Sequence, residues 1–207
     1  MHRLLALIFT FFMLSGIAVA GNGINQKPET TKGDSTNFLP EEYFIDKAFK
    51  YVQNPKRGFI TADNKVSFGL HEVGRGSAGT ATVKLQHLVD DIPVKYSILF
   101  IHYKWDGKMY GTGGNFYEVP ADLNTSPAIN KEQAEKIAIA ALPPPLIEDM
   151  PPVEIVKSEL LIDKIKDEFK LIWYIATGYG PYHADCQEFE IDAHTGNILI
   201  QRSELIY

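Results

Sequence analysis

Hydrophobic side chains recur along this chain with two periods, and the switches between them mark its elements. Phe44, Ile45, Ala48, Phe49 and Val52 repeat at the spacing of one helical face, behind Pro40, Glu41 and Glu42, which suit a first turn. Asn54-Pro55 ends that helix. Ala81, Val83 and Leu85 then alternate with Thr82, Lys84 and Gln86, the period of a half-buried strand. The run from Val94 to Trp105 is apolar on both faces around Ile98, Leu99, Phe100 and Ile101, which predicts a central strand covered on both sides. Asp106-Gly107 follows as the two central residues of a type I′ hairpin turn, and Met109 to Val119 forms the return strand.

A second helix is predicted from Asn130 to Leu142. Asn130 caps it, Gln133 stands at the capping-box position, and Ala134, Ile137, Ala138 and Ala141 make one apolar stripe. Pro143, Pro144 and Pro145 stop it. Strands follow at about Val153 to Ile162, Phe169 to Thr177 and Cys186 to Ala193, with a last one from Ile198. In the third, Phe189, Ile191 and Ala193 face one way and Glu188, Glu190 and Asp192 the other. Helix-then-strands thus occurs twice. This order predicts an α+β fold of two small units, residues 38–122 and 128–207, each an antiparallel sheet covered by one helix.

The chain ahead of residue 38 has a different character. Met1, His2 and Arg3 form a positive head, LLALIFTFFMLSGIAV is apolar, and Ala18-Val19-Ala20 places small residues where a signal peptidase cuts. Residues 1–20 are therefore expected to be a signal peptide cleaved after Ala20. That makes the mature chain secreted or periplasmic, with no membrane attachment. No cysteine follows the apolar run, so a lipid anchor is not expected. Residues 21–37, GNGINQKPETTKGDSTN, are polar and predict a disordered leader.

Cleavage removes only Arg3 from the 20 Lys and Arg and none of the 26 Asp and Glu, leaving a formal charge of −7. Phosphate binding needs a basic footprint, so nucleic acid is excluded as a partner. Cys186 is the single cysteine, so no internal disulfide forms, and a buried small side chain is the expected role.

No stretch of the chain carries a complete catalytic pattern. A zinc peptidase site needs two histidines one helical turn apart with a glutamate between. His71-Glu72-Val73-Gly74-Arg75 has Arg at the second position and lies in a glycine-broken strand region. His87 and His102 approach one another only if their strands pair in register, and polar strand-edge positions are expected for both. Asp90-Asp91 reads as a solvated turn rather than a calcium site. Gly76-Ser77-Ala78-Gly79 departs from a nucleophile elbow and reads as a flexible connection. His183 and Cys186 lack a third group for nucleophilic catalysis. Asn124-Thr125-Ser126 fits a glycosylation acceptor, relevant in a eukaryotic secretory host. No catalytic residue, metal ligand or cofactor is therefore expected, and the chain is read as a binding module rather than an enzyme.

Two groups of residues carry a resemblance. Val83-Lys84-Leu85-Gln86-His87, then Ile92-Pro93-Val94, then a strand ending at Asp106-Gly107, resembles the fungalysin/thermolysin propeptide motif. Ile129-Asn130-Lys131-Glu132-Gln133-Ala134, with Lys170 to Tyr174 and Ile191 to Leu199, is similar to the PepSY domain that follows it in thermolysin-like precursors. The match runs from about Val66 to Gln201 and implies a cystatin-like or PepSY-like fold. That family commonly has a glycine before the Ile/Val-Pro-Val step and another after it, whereas here Asp91 and Tyr96 occupy the neighbourhood. It also continues into a metallopeptidase domain, whereas this sequence ends at Tyr207.

The resemblance implies a free-standing propeptide that binds a thermolysin-like zinc metallopeptidase in trans, as inhibitor or folding helper. In such precursors the chain after the last PepSY strand leads toward the active-site cleft. Ser203, Glu204, Leu205, Ile206 and Tyr207 are accordingly the expected inhibitory tail. Two alternatives accompany this reading: an envelope or peptide-binding module with no peptidase partner, and an inactive remnant of a protease precursor.

Overall fold

Helix α1 (Glu41–Val52) opens with Glu41 and Glu42 and closes with Lys50, charges aligned with the helix dipole. Its residues Phe44, Ala48 and Val52 lie one turn apart on one face and are buried. They rest on Ala81, Val83 and Leu85 of strand β2 (Ala81–Val89) and on Leu99, Ile101 and Tyr103 of strand β3 (Ile92–Tyr103). Strand β1 (Val66–Arg75) flanks β2 and strand β4 (Met109–Gly114) flanks β3, both antiparallel.

The computed structural model describes residues 39–59, 65–76, 79–143, 151–179 and 184–204. The expected signal peptide and leader fall outside these residues, as do Leu205, Ile206 and Tyr207. Among the described residues, no helix is long and apolar enough to cross a membrane.

Helix α2 (Lys131–Ala140) begins with the full capping box: Asn130 Oδ1 accepts from the Gln133 N–H, and Gln133 Oε1 accepts from the Asn130 N–H. Its small residues Ala134 and Ala138 let it settle on Ile175, Phe189 and Ile191. These belong to strand β6 (Glu168–Tyr179) and strand β7 (Ala184–Asp192); strands β5 (Val153–Ile165) and β8 (Ile198–Glu204) complete the antiparallel set. The strand order is β1-β2-β3-β5-β6-β7-β8, with β4 on β3, and a parallel bridge between Val94 and Ile162 joins the two sets. The fold is α+β, a mostly antiparallel sheet of eight described strands with two helices. A shared cluster of Val89, Val94, Ile162, Leu171 and Ala193 seals the junction.

Three expectations change. β3 is central but fully buried on one face only: Leu99 and Ile101 point to α1, while Ile98 and Phe100 remain half-buried. The return strand β4 ends at Gly114, short of Val119. Asp106-Gly107 is not a type I′ turn, because only Gly107 has positive φ, at 78°. Asp106 Oδ1 instead accepts from the Lys108 N–H, and the Gly107 N–H donates to Lys104 O, so one left-handed glycine closes a longer loop. That loop is docked on α1, where Lys47 Nζ donates to Gly107 O at 3.0 Å.

The two-residue turns with positive φ at both positions occur elsewhere. Asp90 and Asp91, at 50° and 64°, join β2 to β3, and Lys166 and Asp167, at 50° and 68°, join β5 to β6. Aspartate tolerates this region better than most residues.

Candidate functional site

The site begins with an irregularity in β3. Gln86 pairs with Ile98 and Leu88 pairs with Pro93, so Val94, Lys95, Tyr96 and Ser97 all stand opposite His87. This is an enlarged bulge. The Gln86 amide closes it, with Nε2 donating to Val94 O at 2.8 Å and to Ser97 O at 3.1 Å.

Each bulge residue does something different. Val94 is buried and reaches β5. Lys95 turns down onto the second set of strands, with Nζ 2.5 Å from Glu190 Oε1 and 3.2 Å from Asp163 Oδ2. Tyr96 takes φ 59°, a left-handed conformation rare for a bulky residue, and leaves its side chain 61% exposed. Ser97 is buried, accepts from the Tyr117 N–H at 3.2 Å and lies 3.0 Å from His87 Nδ1.

Burial alone would lower the Lys95 pKa. The hydrogen bond to Glu190 and the charges of Asp163 and Glu190 outweigh it and hold Lys95 above its ordinary value. Arg202 of β8 adds a 3.5 Å contact to the same Glu190 Oε1. Glu190 Oε2 is buried and has no hydrogen-bond partner. Beside them, the Tyr174 hydroxyl donates to Glu188 Oε1.

Gln86, Lys95, Tyr96, Tyr174, Glu188 and Arg202 line a cleft of about 870 Å³ on the helix-free face of the sheet. α1 covers the Val83 and Leu85 side of β2, and the cleft uses Gln86 and Leu88 from the opposite side. α2 covers the Ile175 and Phe189 side of β6 and β7, and the cleft uses Tyr174 and Glu188. One wall is largely apolar, with Leu70, Leu88, Pro93 and Tyr96, and the facing wall is charged, with Lys157, Glu159, Glu188 and Arg202. Lys95 lies between, its Nζ 5.0 Å from the Tyr96 ring centre and 5.5 Å from that of Tyr174.

Sequence periodicity puts Glu188, Glu190 and Asp192 on the face away from α2, where they lie, but it does not foresee that Glu190 is buried. The bulge of β3 lays Lys95 over it.

The other candidates are dispersed. His71 and Arg75 lie on strand β1, so they are not one helical turn apart. His87 is not at a polar edge: it is buried between Phe68 and Phe116, with ring centres at 5.8 and 4.6 Å, and burial lowers its pKa to about 4. His102 sits opposite Thr82 and meets its Oγ1 at 2.9 Å, so the register keeps His87 and His102 apart. His183 lies outside the described residues. Cys186 is half-buried on β7, with Glu204 opposite it on β8. Of the expected tail, Ser203 and Glu204 pair with β7 as the end of β8. Among the described residues, no group of three or more His, Cys, Asp or Glu is placed to hold a metal ion.

No protein-family model and no curated protein matches the chain. Among solved structures, it is similar to the Bacillus megaterium YpeB C-terminal domain, at 14% identity and a TM-score of 0.38, over 80% of this chain. The chain spans 65% of the length of that structure. It is also similar to a protein from Clostridium difficile 630 described as a candidate lipoprotein, at 11% identity and a TM-score of 0.29, over 77% of this chain and 92% of that one.

Proposed function

We propose that this chain is a non-catalytic binding module that acts in trans on a thermolysin-family metallopeptidase, as inhibitor or folding helper, through its helix-free face. The observation that carries the reading is the cleft on that face, which presents Tyr96 and Arg202 beside the exposed Leu70. Tyrosine and arginine are among the residue types that dominate protein recognition, and here they share the cleft with Leu70, Leu88 and Pro93. The resemblance to thermolysin-type propeptides supplies the class of partner.

The chain beyond Glu204 is the second element of the proposal. Its apolar residues Leu205, Ile206 and Tyr207 would enter substrate pockets of the peptidase and block access to its zinc. Deleting Glu204 to Tyr207 is expected to abolish inhibition of a thermolysin-family peptidase. Unchanged inhibition by the truncated chain removes the tail from the mechanism.

One observation favours a second reading, a peptide-binding envelope module with no peptidase partner. Among the described strands β8 pairs only with β7, so its other edge can accept an added strand. Capture of extended peptides without inhibition of any thermolysin-family peptidase would establish that reading in place of the first.

A further inference from the structure

The state of each charged group along the cleft indicates which ligand chemistry it lacks. Every carboxylate facing it already has a donor. Glu159 has Lys157 at 2.9 Å and Glu188 has the Tyr174 hydroxyl, while Asp163 and Glu190, behind the lining, share Lys95. The unused Glu190 Oε2 has no exposed surface, so a ligand does not reach it. Lys95 is buried between two carboxylates, and Lys157 pairs with Glu159 through a compact ammonium rather than a planar fork. Arg202 differs: its guanidinium makes a single 3.5 Å contact, to Glu190, and its side chain is 48% exposed.

A guanidinium carries five N–H donors in a planar fork, so a single contact leaves most of the Arg202 donors available where it lines the cleft. The group they fit is a carboxylate. The opposite wall of Leu70, Leu88, Pro93 and Tyr96 offers apolar contact and a ring face, and Tyr96 holds that ring out in a conformation that costs backbone energy.

We infer that the cleft binds an extended apolar peptide segment through a carboxylate held by Arg202, with an apolar side chain packed against Tyr96 and Leu88. Glu190 acts as a positioning residue that holds Arg202 at the wall. This inference deepens the proposed function by naming what the helix-free face recognises, and it rests on that face being the recognition surface.

The test is calorimetric titration of the full chain, exported and processed by its expression host, with three probes. They are acetyl-Ala-Leu-Ala-Leu as the free acid, the same peptide as its C-terminal amide, and acetyl-Ala-Leu-Asp-Leu amide. The free acid is expected to bind at one site about tenfold or more tighter than the plain amide. Matching affinity of the aspartyl amide would assign the carboxylate to a side chain, and weak binding of it would assign it to a chain terminus; both keep the Arg202 contact. Arg202→Gln is expected to erase the preference for the acid. Tyr96→Gly is expected to weaken all three probes without lowering the melting temperature, because glycine is at ease at that φ.

Equal affinity for acid and amide, no binding of either at millimolar concentration, or a preference that survives Arg202→Gln would overturn the inference. Inhibition of a thermolysin-family peptidase, read on the same variants, separates the two claims. Inhibition without peptide binding removes the carboxylate site and keeps the peptidase partner, with recognition then carried by other parts of the chain. Peptide binding without inhibition does the reverse.

Discussion

Lys95 Nζ lies 2.5 Å from Glu190 Oε1, a contact between a bulge in β3 and a buried side chain on β7 that fastens the first set of strands to the second. The backbone joins the sets at the Val94–Ile162 bridge beside it. Removing the ammonium leaves Glu190 and Asp163 buried without their shared cation. Lys95→Met is therefore expected to destabilise the fold by about 3–5 kcal/mol, measured by urea unfolding at neutral pH. A loss below about 1 kcal/mol would mean that the contact is not maintained in solution.

The same pair sets an alkaline limit. The pKa of Lys95 is raised in the fold, so its contribution is fully present below the ordinary lysine value and is lost as pH rises through the higher folded value. Unfolding free energy of the native chain is expected to fall above about pH 10 more steeply than that of Lys95→Met. Parallel profiles would remove Lys95 from the titration.

His87 sets a limit on the acid side. Its folded pKa is lowered to about 4 by burial, so the unfolded chain takes up the proton first. Its contribution is complete above about pH 6.5, falls as pH drops, and levels off near pH 4. NMR titration of the His87 ring should give a midpoint near 4. A midpoint near 6.5 would mean that the ring is solvated.

Gly107 closes the β3–β4 loop at φ 78°, and a Cβ there would stand 2.6 Å from a Tyr43 ring carbon and 2.9 Å from Leu39 Cδ1. Strain and collision act together. Gly107→Ala is expected to cost about 1–3 kcal/mol in thermal or urea unfolding. An unchanged melting temperature would show that α1 and the loop shift apart freely.

Both helices and most strands are legible in the sequence because their signals are local. Asn130 and Gln133 announce the start of α2, and the alternation of β2 from Ala81 gives its buried face directly. The Asp106-Gly107 turn misleads because the type I′ signal is a two-residue pattern, while docking against Tyr43, Leu39 and Lys47 of the α1 region selects a longer loop. The site is less legible. Lys95, Asp163, Glu190 and Arg202 come from four strands, and their meeting depends on the size of a bulge that only pairing in three dimensions defines.

The central claim is that this chain binds a thermolysin-family metallopeptidase in trans. It is tested most directly by titrating the exported chain, at micromolar concentration, into such a peptidase from the same organism while following cleavage of a fluorogenic peptide. The account predicts saturable inhibition with the titrant still intact. Undiminished peptidase activity, with the chain left unbound or digested as ordinary substrate, would contradict it.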